Sequence, residues 1–118
     1  MNKRILIVDD EIEIVKILKR SLTRNGYKIY TAYSLNEAKG IFLENRIDVI
    51  LLDINLPDGS GLDELTHFKA GQKDCAVVLM SALDSKDIKK LAFEKGALSF
   101  VSKPFSMQSI SNVIERIK

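Results

Sequence analysis

Residues 48–61, DVILLDINLPDGSG, contain the feature that decides the fold: a run of four apolar residues that stops at an acid. The run, Val49 to Leu52, has no polar alternation, which is typical of a strand buried on both faces in the middle of a parallel sheet. Asp53 follows directly, and the turn-forming residues 56–61 then predict a loop. In open parallel sheets, ligands bind outside the carboxyl ends of the strands. Asp53 is therefore a candidate for chemistry.

The length and composition indicate one ordinary globular domain spanning residues 1–118. Eighteen basic and 16 acidic residues give a net charge of +2, which is too small to indicate a nucleic-acid surface, so we expect no direct contact with nucleic acid. The single cysteine, Cys75, is typical of a reducing compartment. The first apolar run is too short for a signal peptide or a membrane span. We therefore expect a cytoplasmic protein with no membrane partner.

The pattern of the central strand recurs along the chain. Apolar runs at residues 5–8 and 75–80, together with shorter patterns at residues 27–32 and 98–101, predict four further strands. Helical spacing between and after the strands predicts five helices. Five strands alternating with five helices indicate βαβ units and a doubly wound α/β fold, with helices on both faces of a parallel sheet.

Three helices carry predictions about individual residues. The spacing of the first helix, from residue 11 to 25, places Ile12 on the buried face. Ser34 and Glu37 have the capping-box pattern at the start of the second helix. Asp84 is expected to cap the fourth helix, with Leu91 on its buried side.

Polar residues follow four of the buried strands: Asp9 with Asp10, Asp53, Ser81 and Lys103. These strand ends open on one edge of a doubly wound sheet, so the side chains can converge. Three adjacent carboxylates raise one another's pKa unless a cation lies among them. Oxygen ligands without His or Cys favour a hard ion, and Mg²⁺ suits a site that keeps several waters. Such a site can hold a phosphoryl group, with one carboxylate as nucleophile.

Each of these residues taken alone also has an ordinary structural interpretation. Asp9 and Asp10 could cap the first helix, and Asp53 could be a turn residue. Ser81 could be a strand-end hydroxyl, and Lys103 could be a solvated surface lysine. The functional interpretation gains weight because all of them occur together, each at the predicted end of a buried strand.

In their order and spacing, these segments resemble the receiver domain of bacterial two-component response regulators over essentially the whole chain. The matching segments are ILIVDDE at residues 5–11, DVILLD at residues 48–53, Pro57 and Gly61 in the next loop, Ser81-Ala82, Gly96-Ala97 and Lys103-Pro104-Phe105. The resemblance implies a flavodoxin-like (βα)5 fold whose five parallel strands have the order 2-1-3-4-5.

The resemblance also implies roles for the acidic residues and the lysine. Asp53 would be the phosphoacceptor. Asp10 and Asp53 would bind Mg²⁺ directly, together with the backbone carbonyl of Asn55. Asp9 would act on the ion through a water, and Lys103 would pair with the phosphoryl oxygens.

A second set of implied roles concerns the response to phosphorylation. Ser81 would hydrogen-bond the phosphoryl group, and the small Ala82 would leave room beside it. Phe100 would turn inward when Ser81 moves, and this would change the surface formed by the fourth helix, the fifth strand and the fifth helix. The peptide bond before Pro104 would be cis.

The implied function is a phosphorylation-activated signalling switch. A histidine kinase or histidine phosphotransfer protein would supply the phosphoryl group, and the changed surface would control an output domain or target protein. The domain would catalyse only its own phosphorylation and dephosphorylation, so it would not be an enzyme in the usual sense. A homodimer could form on phosphorylation, although residues 98–100 lack the acidic residues that regulators with winged-helix outputs use for dimerisation.

Three alternatives stay open from the residues alone. A Mg²⁺-dependent phosphohydrolase of small molecules would use the same nucleophile, but little sequence is left for a substrate pocket. A flavodoxin-like cofactor binder needs a phosphate-cradling loop where residues 9–11 are acidic. A degenerate receiver would serve as a constitutive interaction module, which the intact residue set disfavours.

Overall fold

The computed structural model describes residues 3–117 and contains the predicted alternation of strands and helices. The strands of the main sheet are β1 (Arg4–Val8), β2 (Lys28–Ala32), β3 (Val49–Asp53), β4 (Ala76–Ser81) and β5 (Ser99–Ser102). The helices are α1 (Ile12–Arg24), α2 (Leu35–Glu44), α3 (Gly61–Gly71), α4 (Lys86–Glu94) and α5 (Met107–Glu115). Among the described residues, no helix has both the length and the apolar character that crossing a membrane requires.

The five strands form one parallel sheet in the order β2-β1-β3-β4-β5, which confirms the predicted doubly wound fold. All five residues of β3 are buried at its centre. Leu52 lies opposite Val8 of β1, and Asp53 lies opposite Met80 of β4. This register brings the carboxyl ends of the three central strands to the same edge.

Two hydrophobic clusters cover the two faces of the sheet. Ile50 and Leu52 of β3 belong to one cluster, which includes residues of α2, α3 and α4. Val49 and Leu51 belong to the other, which includes residues of α1 and α5. Because consecutive side chains of a strand point to opposite faces, a strand with a core on both sides is apolar at every position.

Three predictions about helix residues were wrong. Ile12 is 55% exposed, because α1 begins at this residue beside the sheet edge and its buried stripe starts one turn later, at Val15. Leu91 is 41% exposed, because the short α4 fully buries only Ala92. The cap of α4 is Ser85, whose hydroxyl accepts a hydrogen bond from the Ile88 N–H. The helix therefore begins one residue later than it would with Asp84 as its cap.

The start of α2 has a second cap that the sequence did not reveal. The hydroxyl of Ser34 accepts a hydrogen bond from the Glu37 N–H, as the capping-box pattern predicted. The carboxylate of Asp58 also accepts hydrogen bonds from the N–H groups of Leu35 and Asn36, both at 2.9 Å. These bonds lower the pKa of Asp58. They also attach to α2 the loop after β3, in which residues 55–56 form a short antiparallel pairing with residues 59–60.

Candidate functional site

The structure brings the predicted acidic residues together at the carboxyl edge of the sheet. Asp9 and Asp10 follow β1, and Asp53 is the last residue of β3. One carboxylate oxygen from each lies within 4.8 Å of the others. Asp9 and Asp53 are buried, whereas Asp10 is exposed. The cluster thus combines two buried carboxylates with one that solvent reaches.

Lys103 neutralises part of this acidic cluster. Its ammonium lies 2.8 Å from Oδ2 of Asp9 and 3.3 Å from Oδ2 of Asp53. A third contact, 2.9 Å long, joins it to Oε1 of Glu11. Burial alone would lower the pKa of Lys103, but the hydrogen bonds to Asp9 and Glu11 and the charge of Asp53 raise it above its ordinary value, so the lysine is a permanent cation.

Glu11 is a site residue that reasoning from the sequence missed. It directly follows Asp9 and Asp10, so its position in the acidic segment was visible. Its contact with Lys103 joins residues 92 positions apart in the chain. This contact depends on how the loops after β1 and β5 meet, which helical and strand periodicity does not encode.

The surroundings of Asp53 disfavour its ionised form. Burial, and then the negative charge of Asp9, raise its pKa to about 6, although the charge of Lys103 and hydrogen bonds from Lys103 and the Asn55 backbone oppose the shift. The carboxylates of Asp9, Glu11 and Asp53 contact the Lys103 ammonium, and the Asp10 carboxylate lies within 4.8 Å of those of Asp9 and Asp53. Clustered oxygen donors with excess negative charge are the ligands that hard divalent cations such as Mg²⁺ and Ca²⁺ prefer. The residues present therefore fit a divalent metal.

Gly61 fixes the main chain next to Asp53. Its N–H donates a hydrogen bond to the Ile54 carbonyl at 2.8 Å. A Cβ atom at this position would overlap the carbonyl oxygen of Asp53 and would lie 2.9 Å from Cγ of Leu52. The turn-forming pattern predicted a glycine in a loop, but the structural reason for glycine is this close approach of two backbone segments.

Residues 5–115 match the family described as the response regulator receiver domain. The chain belongs to this family. The predicted fold is therefore confirmed. The structure also brings Asp9, Asp10, Asp53 and Lys103 together, as predicted.

Solved receiver structures share the fold over almost the whole of this receiver domain. The beryllofluoride-activated NtrC4 receiver domain dimer is 35% identical, with a TM-score of 0.91, and the match covers 97% of this chain and 94% of that one. Vibrio cholerae CheY4 is 25% identical, with a TM-score of 0.93 and full coverage of both chains. A Burkholderia pseudomallei response regulator with a phosphorylated aspartic acid and a calcium ion is 25% identical, with a TM-score of 0.89 and coverage of 99% of this chain and 67% of that one.

Ser81 and Pro104 lie at the same edge of the sheet, and Phe100 lies two residues before the end of β5. The hydroxyl of Ser81, at the end of β4, is buried and accepts a hydrogen bond of 2.9 Å from the Leu83 N–H. The peptide bond between Lys103 and Pro104 is cis, as predicted. Phe100 in β5 is partly exposed, with the Lys89 ammonium 5.8 Å from its ring centroid. Ser81 and Phe100 are thus held by contacts that a conformational change would have to alter.

An apolar cleft adjoins the receiver site between α1 and the segment that follows β5. Lys103 and Glu11 line its polar end. Ile17, Phe105 and Met107 contribute to its apolar walls, and Ile17 is 53% exposed. The cleft and the acidic cluster thus share Glu11 and Lys103.

Proposed function

We propose that this receiver domain is a phosphorylation-activated signalling switch in which Asp53 accepts the phosphoryl group. The observation that carries the proposal is the position of the buried Asp53 carboxylate, 3.3 Å from the Lys103 ammonium and within 4.8 Å of two further carboxylates. An aspartyl nucleophile beside a fixed cation is an arrangement suited to phosphoryl transfer. The phosphorylated aspartic acid in the Burkholderia relative supports the same assignment.

We propose Mg²⁺ as the metal of this site. Asp10, Asp53 and the backbone carbonyl of Asn55 would hold it directly. Asp9 would act through a water, and its two oxygens accept hydrogen bonds from the Glu11 N–H and the Lys103 ammonium. When bound, the ion would offset the negative charge of the phosphoryl oxygens.

The transfer step follows from the position and charge of the protein groups. An ionised oxygen of Asp53 attacks the phosphorus atom of a phosphohistidine on a histidine kinase or histidine phosphotransfer protein. The new O–P bond forms as the P–N bond breaks, and the electron pair of the P–N bond stays on the imidazole nitrogen. The Lys103 ammonium faces a non-bridging phosphoryl oxygen and stabilises its charge. The apolar cleft beside Lys103 would receive the donor protein.

Phosphorylation would then change a distant surface of the domain. The Ser81 hydroxyl would leave the Leu83 N–H and donate a hydrogen bond to the phosphoryl group. Phe100 would turn inward, and the surface formed by α4, β5 and α5 would bind an output domain or target protein. A homodimer on phosphorylation is one form of this response, and the beryllofluoride-activated NtrC4 relative is described as a dimer. We place this activity in the cytoplasm, with no turnover of a separate substrate.

The decisive experiment measures the mass of the protein after incubation with Mg²⁺ and phosphoramidate. The wild type should gain about 80 Da, the mass of one phosphoryl group, and Asp53→Asn should gain nothing. Asp74→Asn, which changes an exposed aspartate near β4, is the matched control and should gain the same mass as the wild type. An equal gain in Asp53→Asn, or no gain in a wild type that binds Mg²⁺, would contradict the proposal.

A further inference from the structure

The Lys103 ammonium contacts three carboxylates: Asp9 at 2.8 Å, Glu11 at 2.9 Å and Asp53 at 3.3 Å. It donates hydrogen bonds to Asp9 and Glu11 and forms an ion pair with Asp53. An ammonium group has three donors and no more. A phosphoryl oxygen on Asp53 would therefore be a fourth anionic group beside an ammonium with three donors, and it would compete with these carboxylates for them.

Glu11 is the partner that is free to leave. Asp9 is fully buried, and its second oxygen accepts a hydrogen bond from the Glu11 N–H. Asp53 itself carries the phosphoryl group and stays in place. The Glu11 side chain is 57% exposed, so it can turn into solvent without opening the core.

The side chain of Glu11 has no role in starting α1. Glu11 occupies the N-cap position, where Ser, Thr, Asp and Asn are the preferred residues because their short side chains reach the first free N–H groups. Within the described part of the chain, its carboxylate makes no capping hydrogen bond. Its contact with Lys103 is therefore independent of helix formation.

We propose that Glu11 is a positioning residue that holds one donor of Lys103, and that a phosphoryl group on Asp53 competes with it for this donor. This inference rests on the proposed function of Asp53. Glu11 thereby opposes phosphorylation, since the phosphoryl oxygen competes with its carboxylate for the same N–H. Removing its charge should make the site bind a phosphoryl group more readily.

The test compares binding of beryllofluoride, a phosphoryl analogue, to the Mg²⁺-loaded wild type and to Glu11→Gln, followed by ¹⁹F NMR. Loss of one unit charge a few ångströms from the anion, near the surface, should tighten binding by about three- to tenfold. The phosphoramidate concentration that gives half-maximal phosphorylation should fall by a similar factor, with the maximal rate changed less than about twofold. The unfolding temperature should not change, because Glu11 is exposed.

Two further variants separate the contact from general effects of charge. Glu13→Gln removes an acid two residues away, which is 84% exposed and lies 3.9 Å from Lys16; it should bind beryllofluoride like the wild type. Glu11→Asp keeps the charge but shortens the side chain by one methylene, so its carboxylate should no longer reach Lys103. Its affinity for beryllofluoride should therefore change from the wild-type value toward that of Glu11→Gln. Wild-type behaviour of Glu11→Asp would overturn the positioning role.

Other outcomes also decide the matter. If Glu11→Gln binds the analogue no more tightly than Glu13→Gln does, Glu11 does not compete for Lys103, and the inference fails although the proposed function stands. If the wild type neither binds beryllofluoride nor takes up a phosphoryl group from phosphoramidate, both the proposed function and this inference fail.

Discussion

Gly61 packs its Cα against the backbone carbonyl of Asp53, so closely that any side chain at residue 61 would overlap that oxygen. The hydrogen bond from the Gly61 N–H to the Ile54 carbonyl holds the same two segments together. The start of α3 is thus fixed to the end of β3. The position of the proposed phosphoacceptor depends on this contact as well as on its own strand.

Replacing Gly61 by alanine should therefore damage both stability and the site. We expect Gly61→Ala to lower the free energy of unfolding by about 1–3 kcal/mol, because the new methyl group overpacks a region with backbone on the other side. Phosphorylation should slow as Asp53 shifts. Gly40→Ala is the control: Gly40 is exposed within α2, and a methyl group there would meet no atom of another element within 4 Å among the residues described. It should be neutral or slightly stabilising in urea unfolding.

The raised pKa of Asp53 predicts how stability depends on pH without metal. The group has a pKa of about 6 in the folded protein and an ordinary value of 3.8, so the fold favours its protonated form. In EDTA, the free energy of unfolding of the wild type should therefore fall as the pH rises from about 4 to about 6. The fall should exceed that of Asp53→Asn by about 2 kcal/mol. Saturating Mg²⁺ should abolish the difference, since a cation favours the carboxylate. Parallel pH profiles of the two proteins in EDTA would refute this prediction.

Removal of the Lys103 charge should leave the buried carboxylates without a partner. We expect Lys103→Met to lower the free energy of unfolding at pH 7 in EDTA by about 3 kcal/mol. Mg²⁺ should restore more stability to the variant than to the wild type, because the ion replaces the missing positive charge. Lys90→Met, at an exposed position of α4, should have little effect and serves as the control. Equal Mg²⁺ responses in Lys103→Met and the wild type would be inconsistent with this account.

The Asp58 carboxylate should stabilise α2 through its two hydrogen bonds. We expect Asp58→Asn to lower the unfolding temperature at pH 7 by a few degrees, because the amide oxygen is a weaker acceptor for the Leu35 and Asn36 N–H groups. Since these bonds lower the pKa of Asp58, its contribution is complete above the ordinary pKa of 3.8 and is lost as the pH falls below it. The difference should thus shrink in melts recorded at pH values progressively below 3.8. Asp74→Asn should show no such pattern.

Ser81 should couple the phosphoryl group to Phe100. We expect Ser81→Ala to bind beryllofluoride about tenfold more weakly, as expected for the loss of one hydrogen bond to a charged group. The NMR signals of the Phe100 ring should shift on binding in the wild type and in Ser81→Thr, which keeps the hydroxyl. They should shift much less in Ser81→Ala. A full Phe100 response in Ser81→Ala would show that the hydroxyl does not connect the two positions.

The main features of the fold could be predicted from the sequence for a simple physical reason. Strands such as β3, with a core on both faces, must be apolar at every residue, and such runs alternate here with helical spacing. Parallel strands share one carboxyl edge, so the convergence of Asp9, Asp53 and Lys103 followed from the topology alone. The order and spacing of these residues further indicated the receiver family, which residues 5–115 match.

Other features were decided only by the tertiary structure. The Asp58 cap of α2, the contact of Glu11 with Lys103 and the tight packing of Gly61 on Asp53 all join separate segments of the chain. The exposure of Ile12 and Leu91 likewise depends on how far the neighbouring elements extend. Periodicity specifies which face of an element is buried, but not the distance of a loop or a helix end from its neighbours. That distance is set when the helices pack on the sheet.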